Sequence, residues 1–297
     1  MELGSTAWTD EIGPTSNSFV SQRLRLHYLD WGNAGAPTLI LLHGGRDHAH
    51  NWDWLARALR DEWHIICPDL RGHGDSAWSP DGVYSIPFYV SDLAQLIHQI
   101  ADGPVTIVAH SLGGAISLRY AGLYPEHVRR LAAIEGLGQL PQEMLAREAL
   151  PIAERWREWI DERRALSARQ PRRYASLEEA YARMREQNGF LSVEQARHLT
   201  IHGISRNEDG SYSWKFDNYV RSAPPIHVTE AEQHELWHNI ECPVWLVHGK
   251  DSWASHPAED GSAAHFRNAT ITSYDNAGHW VHHDRFTSFL EDLRAFL

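Results

Sequence analysis

Few residues in this sequence could cross-link the chain or anchor it in a bilayer. Only two of the 297 residues are cysteine, Cys67 and Cys242. Each stands beside an apolar run expected to form a core strand, so both read as buried thiols and a disulfide framework is excluded. Lysine is nearly missing: of 27 basic residues, only Lys215 and Lys250 are not arginine. Acidic residues outnumber basic ones, the net charge is −12, and no basic stripe exists, which excludes a nucleic-acid partner. No apolar run approaches the length of a membrane span. The first eleven residues have neither the basic start nor the apolar stretch of a secretion signal, so a cytoplasmic location is expected. Internal repeats and low-complexity tracts are missing too.

What is present is organised around Pro104 to Gly114, P-V-T-I-V-A-H-S-L-G-G. Val105 to Ala109 is short, apolar and β-branched, as expected of a strand buried on both faces. It stops at His110-Ser111. After Gly113-Gly114 a helical pattern begins with Ala115, Ile116, Leu118, Tyr120 and Ala121. A strand, one Ser and a helix packed closely through Gly form a nucleophile elbow, which lifts the hydroxyl above the sheet. The usual motif is G-x-S-x-G; here Ala109 takes the first position, and its small side chain still permits the turn.

The remaining chain alternates strand and helix. Strands are expected at Ser18–Val20, Leu24–Asp30, Thr38–Leu42, His64–Cys67, Arg130–Ile134, Pro243–His248 and Ala269–Tyr274. Residues 1–16 read as a loose arm. Helices are expected at Trp54–Leu59, Phe88–Ile100, after the elbow, near Pro257–Phe266 and at the C-terminus. This rhythm implies a mainly parallel α/β sheet flanked by helices. It breaks between about Pro141 and Leu236, where charged helical patterns with Trp156 and Trp159 precede a hairpin containing Tyr212, Trp214 and Phe216. The expected organisation is a core of residues 1–138 and 239–297 with a mostly helical cap, 139–238.

Five motifs stand at strand ends: H-G-G at 43–45, D-L-R-G-H-G-D-S at 69–76, A-H-S-L-G-G at 109–114, G-K-D at 249–251 and A-G-H-W at 277–280. Their types and order resemble the α/β-hydrolase superfamily over about 200 residues, the arm and cap excepted. The resemblance implies an α/β-hydrolase fold, a cap inserted after the sixth strand, and ligands beyond the carboxyl ends of the strands. It implies a cofactor-free serine hydrolase: Ser111 as nucleophile, His279 as base and Asp251 as the acid that orients the imidazole. It assigns the oxyanion-hole N–H groups to Gly45 and Leu112. Glu135, ending the sixth strand, is the alternative acid, because haloalkane dehalogenases carry theirs there.

The expected substrate is a small carboxylic ester with an apolar part, met by His43, Gly44, His110, Trp156, Trp159 and Trp214. The cap aromatics serve equally well as the cap's own core. A lactone or a C–C bond of a ring-cleavage product would suit the same triad, and a non-enzymatic receptor on this fold is a further reading. The elbow serine disfavours dehalogenase chemistry, which needs a carboxylate there. Residues Asp69 to Ser76 read as a structural loop with local Arg–Asp pairing, and His282 and His283 as ordinary loop residues. His48-Ala49-His50-Asn51-Trp52-Asp53 begins like the metal motif of metallo-β-lactamase-like hydrolases but lacks its final His, so no metal is expected.

Overall fold

Five apolar runs, none longer than seven residues, line up as the middle of one sheet. In the computed structural model, which describes residues 13–138, 141–167, 169–222, 224–226 and 228–297, the sheet begins with β1 (Thr15–Ser21) and β2 (Leu24–Asp30), an antiparallel pair. The strand β3 (Thr38–Leu42) leads into a 3-10 turn and helix α1 (Asp53–Leu59), then β4 (His64–Pro68) and α2 (Ile86–Ile100). Next come β5 (Val105–His110), α3 (Leu112–Leu123) and β6 (Val128–Ile134). The inserted segment holds α4 (Pro141–Ala149), α5 (Ile152–Ser167), α6 (Leu177–Gln187), α7 (Val193–Gly203), the hairpin β7 (Ile204–Arg206) and β8 (Tyr212–Trp214), and α8 (Glu230–Asn239). Then β9 (Val244–Gly249), β10 (Ala269–Tyr274), α9 (Val281–Asp284) and α10 (Phe286–Phe296) complete the chain. The eight-stranded order is β1-β2-β4-β3-β5-β6-β9-β10, with every pair from β4 to β10 parallel.

Parallel strands covered by helices on both faces need apolar residues at every position. All six residues of β5 and of β9 are buried. One face packs on α2, α3 and α8 through residues such as Ile107, Ile116 and Trp237. The other packs on α1 and α10 through Trp52, Trp245 and Phe289. Cys67 and Cys242 are free and buried, as expected.

Three local expectations change. The arm expected through residue 16 gives way to a strand from Thr15; residues 1–12 lie outside those described, as do 139 and 140, where the cap was expected to begin. The helix expected at Pro257–Phe266 is one 3-10 turn, Ser262–His265. Gly261 has φ +84°, and Asp260 Oδ1 accepts the Ser262 N–H at 2.9 Å, so side-chain turn chemistry replaces a helix start. Arg71 pairs with Asp92 of α2, at 2.5 and 2.7 Å, and not within its own loop.

Although α8 falls within the inserted segment, it packs on α3 and buries Trp237 in the core. The rest of the segment meets loops and a short helix that follow strands. His48 Nε2 donates to the Leu199 carbonyl (2.9 Å), Asp217 N–H to the Gly72 carbonyl (2.9 Å) and Gln195 Nε2 to the His283 carbonyl (3.2 Å). Those contacts come after β3, β4 and β10, so the insertion lies at the carboxyl edge of the sheet, where Ser111 follows β5. Among the described residues, no helix is long and apolar enough to cross a membrane.

Candidate active site

The register Leu42–Ala109–Ala133 puts the ends of β3, β5 and β6 side by side. The chain then turns abruptly. Ser111 has φ +50° and ψ −118°, an uncommon conformation for a residue with a side chain. It is held from both sides: its N–H donates to the Ile134 carbonyl (2.9 Å) and its carbonyl accepts from Ala115 N–H (3.1 Å). The small neighbours are needed for this fit. A Cβ on Gly113 would come within 2.5 Å of the Leu42 carbonyl oxygen, and one on Gly114 within 2.5 Å of Gly136 Cα. A Cβ on Gly44 would meet His110 Nδ1 at 2.8 Å and Ser111 Cβ at 3.1 Å. Ala109 is fully buried and is accommodated without Gly.

His279 follows β10. Its Nδ1 lies 3.4 Å from Glu135 Oε2, and the Glu135 carboxylate is completely shielded from solvent. Glu135 itself has φ +51°, with its N–H donating to the Val247 carbonyl at 2.9 Å. That twist directs the side chain across the end of β9, where Oε1 accepts Gly249 N–H (2.7 Å) and Oε2 accepts the Ser252 hydroxyl (2.6 Å). A buried carboxylate with this many donors persists because each oxygen is satisfied.

The expected acid, Asp251, is not in this position. It is exposed, and its own N–H donates to the Ala277 carbonyl (2.9 Å). Gly249 packs against the carbonyls of Ala277 and Gly278, and the turn that follows brings Ser252 inward and leaves Asp251 outward. The carboxylate in contact with the imidazole is therefore Glu135.

Two expected substrate contacts have structural partners. Fully buried His43 donates from Nδ1 to the Gly44 carbonyl (2.7 Å) and accepts Leu70 N–H at Nε2 (3.0 Å), so neither ring nitrogen is left for a ligand. Desolvation and the nearby His73 lower its pKa to about 3. His110 donates from Nε2 to the His279 carbonyl (2.9 Å), with the two rings 4.7 Å apart. The residue before Ser111 thus holds the histidine loop. Desolvation, then proximity to His279, keeps His110 well below the ordinary histidine pKa.

Gly45 and Leu112 are neighbours, with Leu112 Cδ2 3.9 Å from where a Gly45 Cβ would stand. Trp156 and Trp159 pack edge-on against each other at 6.0 Å, with Arg163 over Trp159, which explains them as mutual partners on α5. Trp214 lines a narrow cleft between insertion and core, together with Met184, Phe216, Trp280, Arg46 and His48.

Sequence reasoning missed three participants. His282 and His283 are buried in α9, not loop residues, and both donate from Nε2 to Asn51 Oδ1 (2.7 and 3.0 Å). Trp253 packs its ring 5.0 Å from the His279 ring. Its position two residues past G-K-D was the only available signal.

Residues 37–286 match the family model described as alpha/beta hydrolase fold. The chain belongs to that family. Among the relatives of this α/β-hydrolase, an esterase of Mycobacterium tuberculosis is 28% identical over 91% of this chain and 85% of its own. A serine hydrolase-like protein of Danio rerio is 25% identical over 74% of this chain and 67% of its own. Among solved structures, the thioesterase domain from the curacin biosynthetic pathway superposes with a TM-score of 0.80 at 21% identity, covering 95% of this chain and all of the domain. At that identity, the likeness shows the fold alone.

Proposed function

We propose that this α/β-hydrolase is a serine hydrolase that cleaves a carboxylic ester through an acyl-enzyme on Ser111. The observation that carries the reading is the contact of His279 with the buried Glu135 carboxylate, the His279 carbonyl being tied to His110, the residue before Ser111. A serine hydroxyl is a poor nucleophile unless a base takes its proton. His279 Nε2 accepts that proton as Oγ attacks the ester carbonyl, and Glu135 at Nδ1 orients the ring and stabilises the imidazolium. The carbonyl oxygen gains negative charge, which the N–H groups of Gly45 and Leu112 receive. His279 then gives its proton to the departing alkoxide. Water attacks the acyl-enzyme by the reverse proton path and releases the acid.

The esterase relative, at 28% identity, supports ester over other acyl substrates. The cleft beside Arg46, with Met184, Trp214, Phe216 and Trp280 in its wall, suits an apolar acyl or alcohol portion. A fluorophosphonate probe is expected to label Ser111 covalently. Ser111→Ala should lose the label and at least about 10³-fold in turnover of p-nitrophenyl esters, with lactones assayed alongside. Full esterase activity in Ser111→Ala would overturn the reading.

A further inference from the structure

Apart from the serine site, four potential metal-ligating side chains from two remote parts of the chain converge. His50 lies in the 3-10 turn before α1, and Asp53 is the first residue of α1. His198 and His202 stand one turn apart on α7 of the insertion, on the same helix face. One ligand atom from each lies within 4.8 Å of all the others. Asp53 Oδ2 is 3.0 Å from His50 Nδ1 and 3.0 Å from His198 Nε2. The His50 and His202 rings stack at 3.8 Å, and the His198 and His202 rings are 4.5 Å apart. His198 Nε2 is buried and, despite its closeness to Asp53, lacks the geometry of a hydrogen bond.

Asp53 hydrogen-bonds His50 through both oxygens and leaves the buried His198 Nε2 without a hydrogen bond, whereas one cation can serve all four side chains. Tetrahedral zinc binds His nitrogen and carboxylate oxygen at about 2.0–2.2 Å, which requires ligand atoms about 3.3 Å apart. The distances here run from 3.0 Å to no more than 4.8 Å, so small side-chain rotations close the shell. Nitrogen-rich ligation suits zinc, nickel, cobalt or copper; magnesium and calcium take oxygen ligands. A single carboxylate leaves a dication partly compensated, as in many sites of this kind.

We propose that His50, Asp53, His198 and His202 form a binding site for one divalent transition-metal ion of the zinc class, which clamps the inserted helix α7 onto the hydrolase core. The ion takes no part in the serine chemistry. It reinforces a contact already begun by His48, whose Nε2 donates to Leu199 between the two α7 ligands and whose ring lines the cleft. Loading therefore stiffens one wall of that cleft.

The experiment titrates chelator-treated full-length protein with Zn²⁺ and with Co²⁺ as a spectroscopic probe. One ion per chain, visible Co²⁺ absorption of tetrahedral intensity and a raised melting temperature are expected. Mg²⁺ should produce no rise. His198→Gln and His202→Gln both replace partly exposed residues on a surface helix, and circular dichroism checks that each still folds. Each should weaken the metal by at least about 10–100-fold, the loss typical of even an outer-shell partner. Unsaturable binding, or a dissociation constant unchanged in both variants, would overturn the site.

Discussion

Two carboxylates compete for His279, and their surroundings separate them. Glu135 is sealed from solvent and within reach of Nδ1; Asp251 is exposed. Removing the charge of the orienting acid presents the wrong imidazole tautomer and removes the counter-charge for its cation, a loss on the order of 10⁴ in kcat. Glu135→Gln is therefore expected to lose that much at saturating ester, and Asp251→Asn less than about threefold. The reverse ranking, with folding checked by circular dichroism, would return the acid to Asp251. At this scale the strand-to-helix turn at Ser111 and the close packing at Gly113 and Gly114 were legible in the sequence, because each belongs to a local turn. The acid was not: a residue two positions past a strand and one at the end of another look equally able to reach.

The element that carries the nucleophile is α3, and its fit depends on glycine. It is buried almost all round, between the sheet and α8. Replacing a helical Gly with Ala ordinarily gains up to about 1 kcal/mol. At Gly114 the new Cβ would stand 2.5 Å from Gly136 Cα, backbone against backbone, with no side chain able to yield. Gly114→Ala is therefore expected to destabilise the fold by about 3 kcal/mol or more, read from the urea midpoint, and to displace the elbow. Unchanged stability would mean that α3 sits farther from β6 than described. The same packing explains α8. Its sequence reads as part of the insertion, but a Cβ at Gly122 would strike the Leu236 carbonyl, so the two helices meet at backbone distance.

The whole molecule holds a set of buried neutral imidazoles around the strand ends. Burial lowers His43 and His283 to about 3 and His48 and His73 to about 4, and holds His110 and His282 well below the usual value. With folded pKa below unfolded, each contributes stability that is complete above pH 6.5 and is lost as the pH falls from 6.5 toward 3–4. Asp284 and Asp47 oppose them: burial raises Asp284 to about 6 and Asp47 well above the usual carboxylate value, so each weakens the fold as the pH rises through and above about 4. Six histidines outweigh two carboxyls. The melting temperature should fall by at least about 5 °C between pH 7.5 and pH 5. A rise over that interval would show that these rings carry protons in the folded state.

Strand positions and the strand-to-helix turn at Ser111 follow from local patterns, since a buried parallel strand must be apolar throughout and a sharp strand-to-helix turn needs small residues whatever surrounds it. What only the tertiary structure decided is which distant groups meet. Glu135 reaches His279 through a positive φ and a turn at residues 249–252, and His50 and Asp53 meet α7 through the docking of the insertion. Such meetings depend on backbone directions summed over more than a hundred intervening residues, and no local residue pattern encodes that sum.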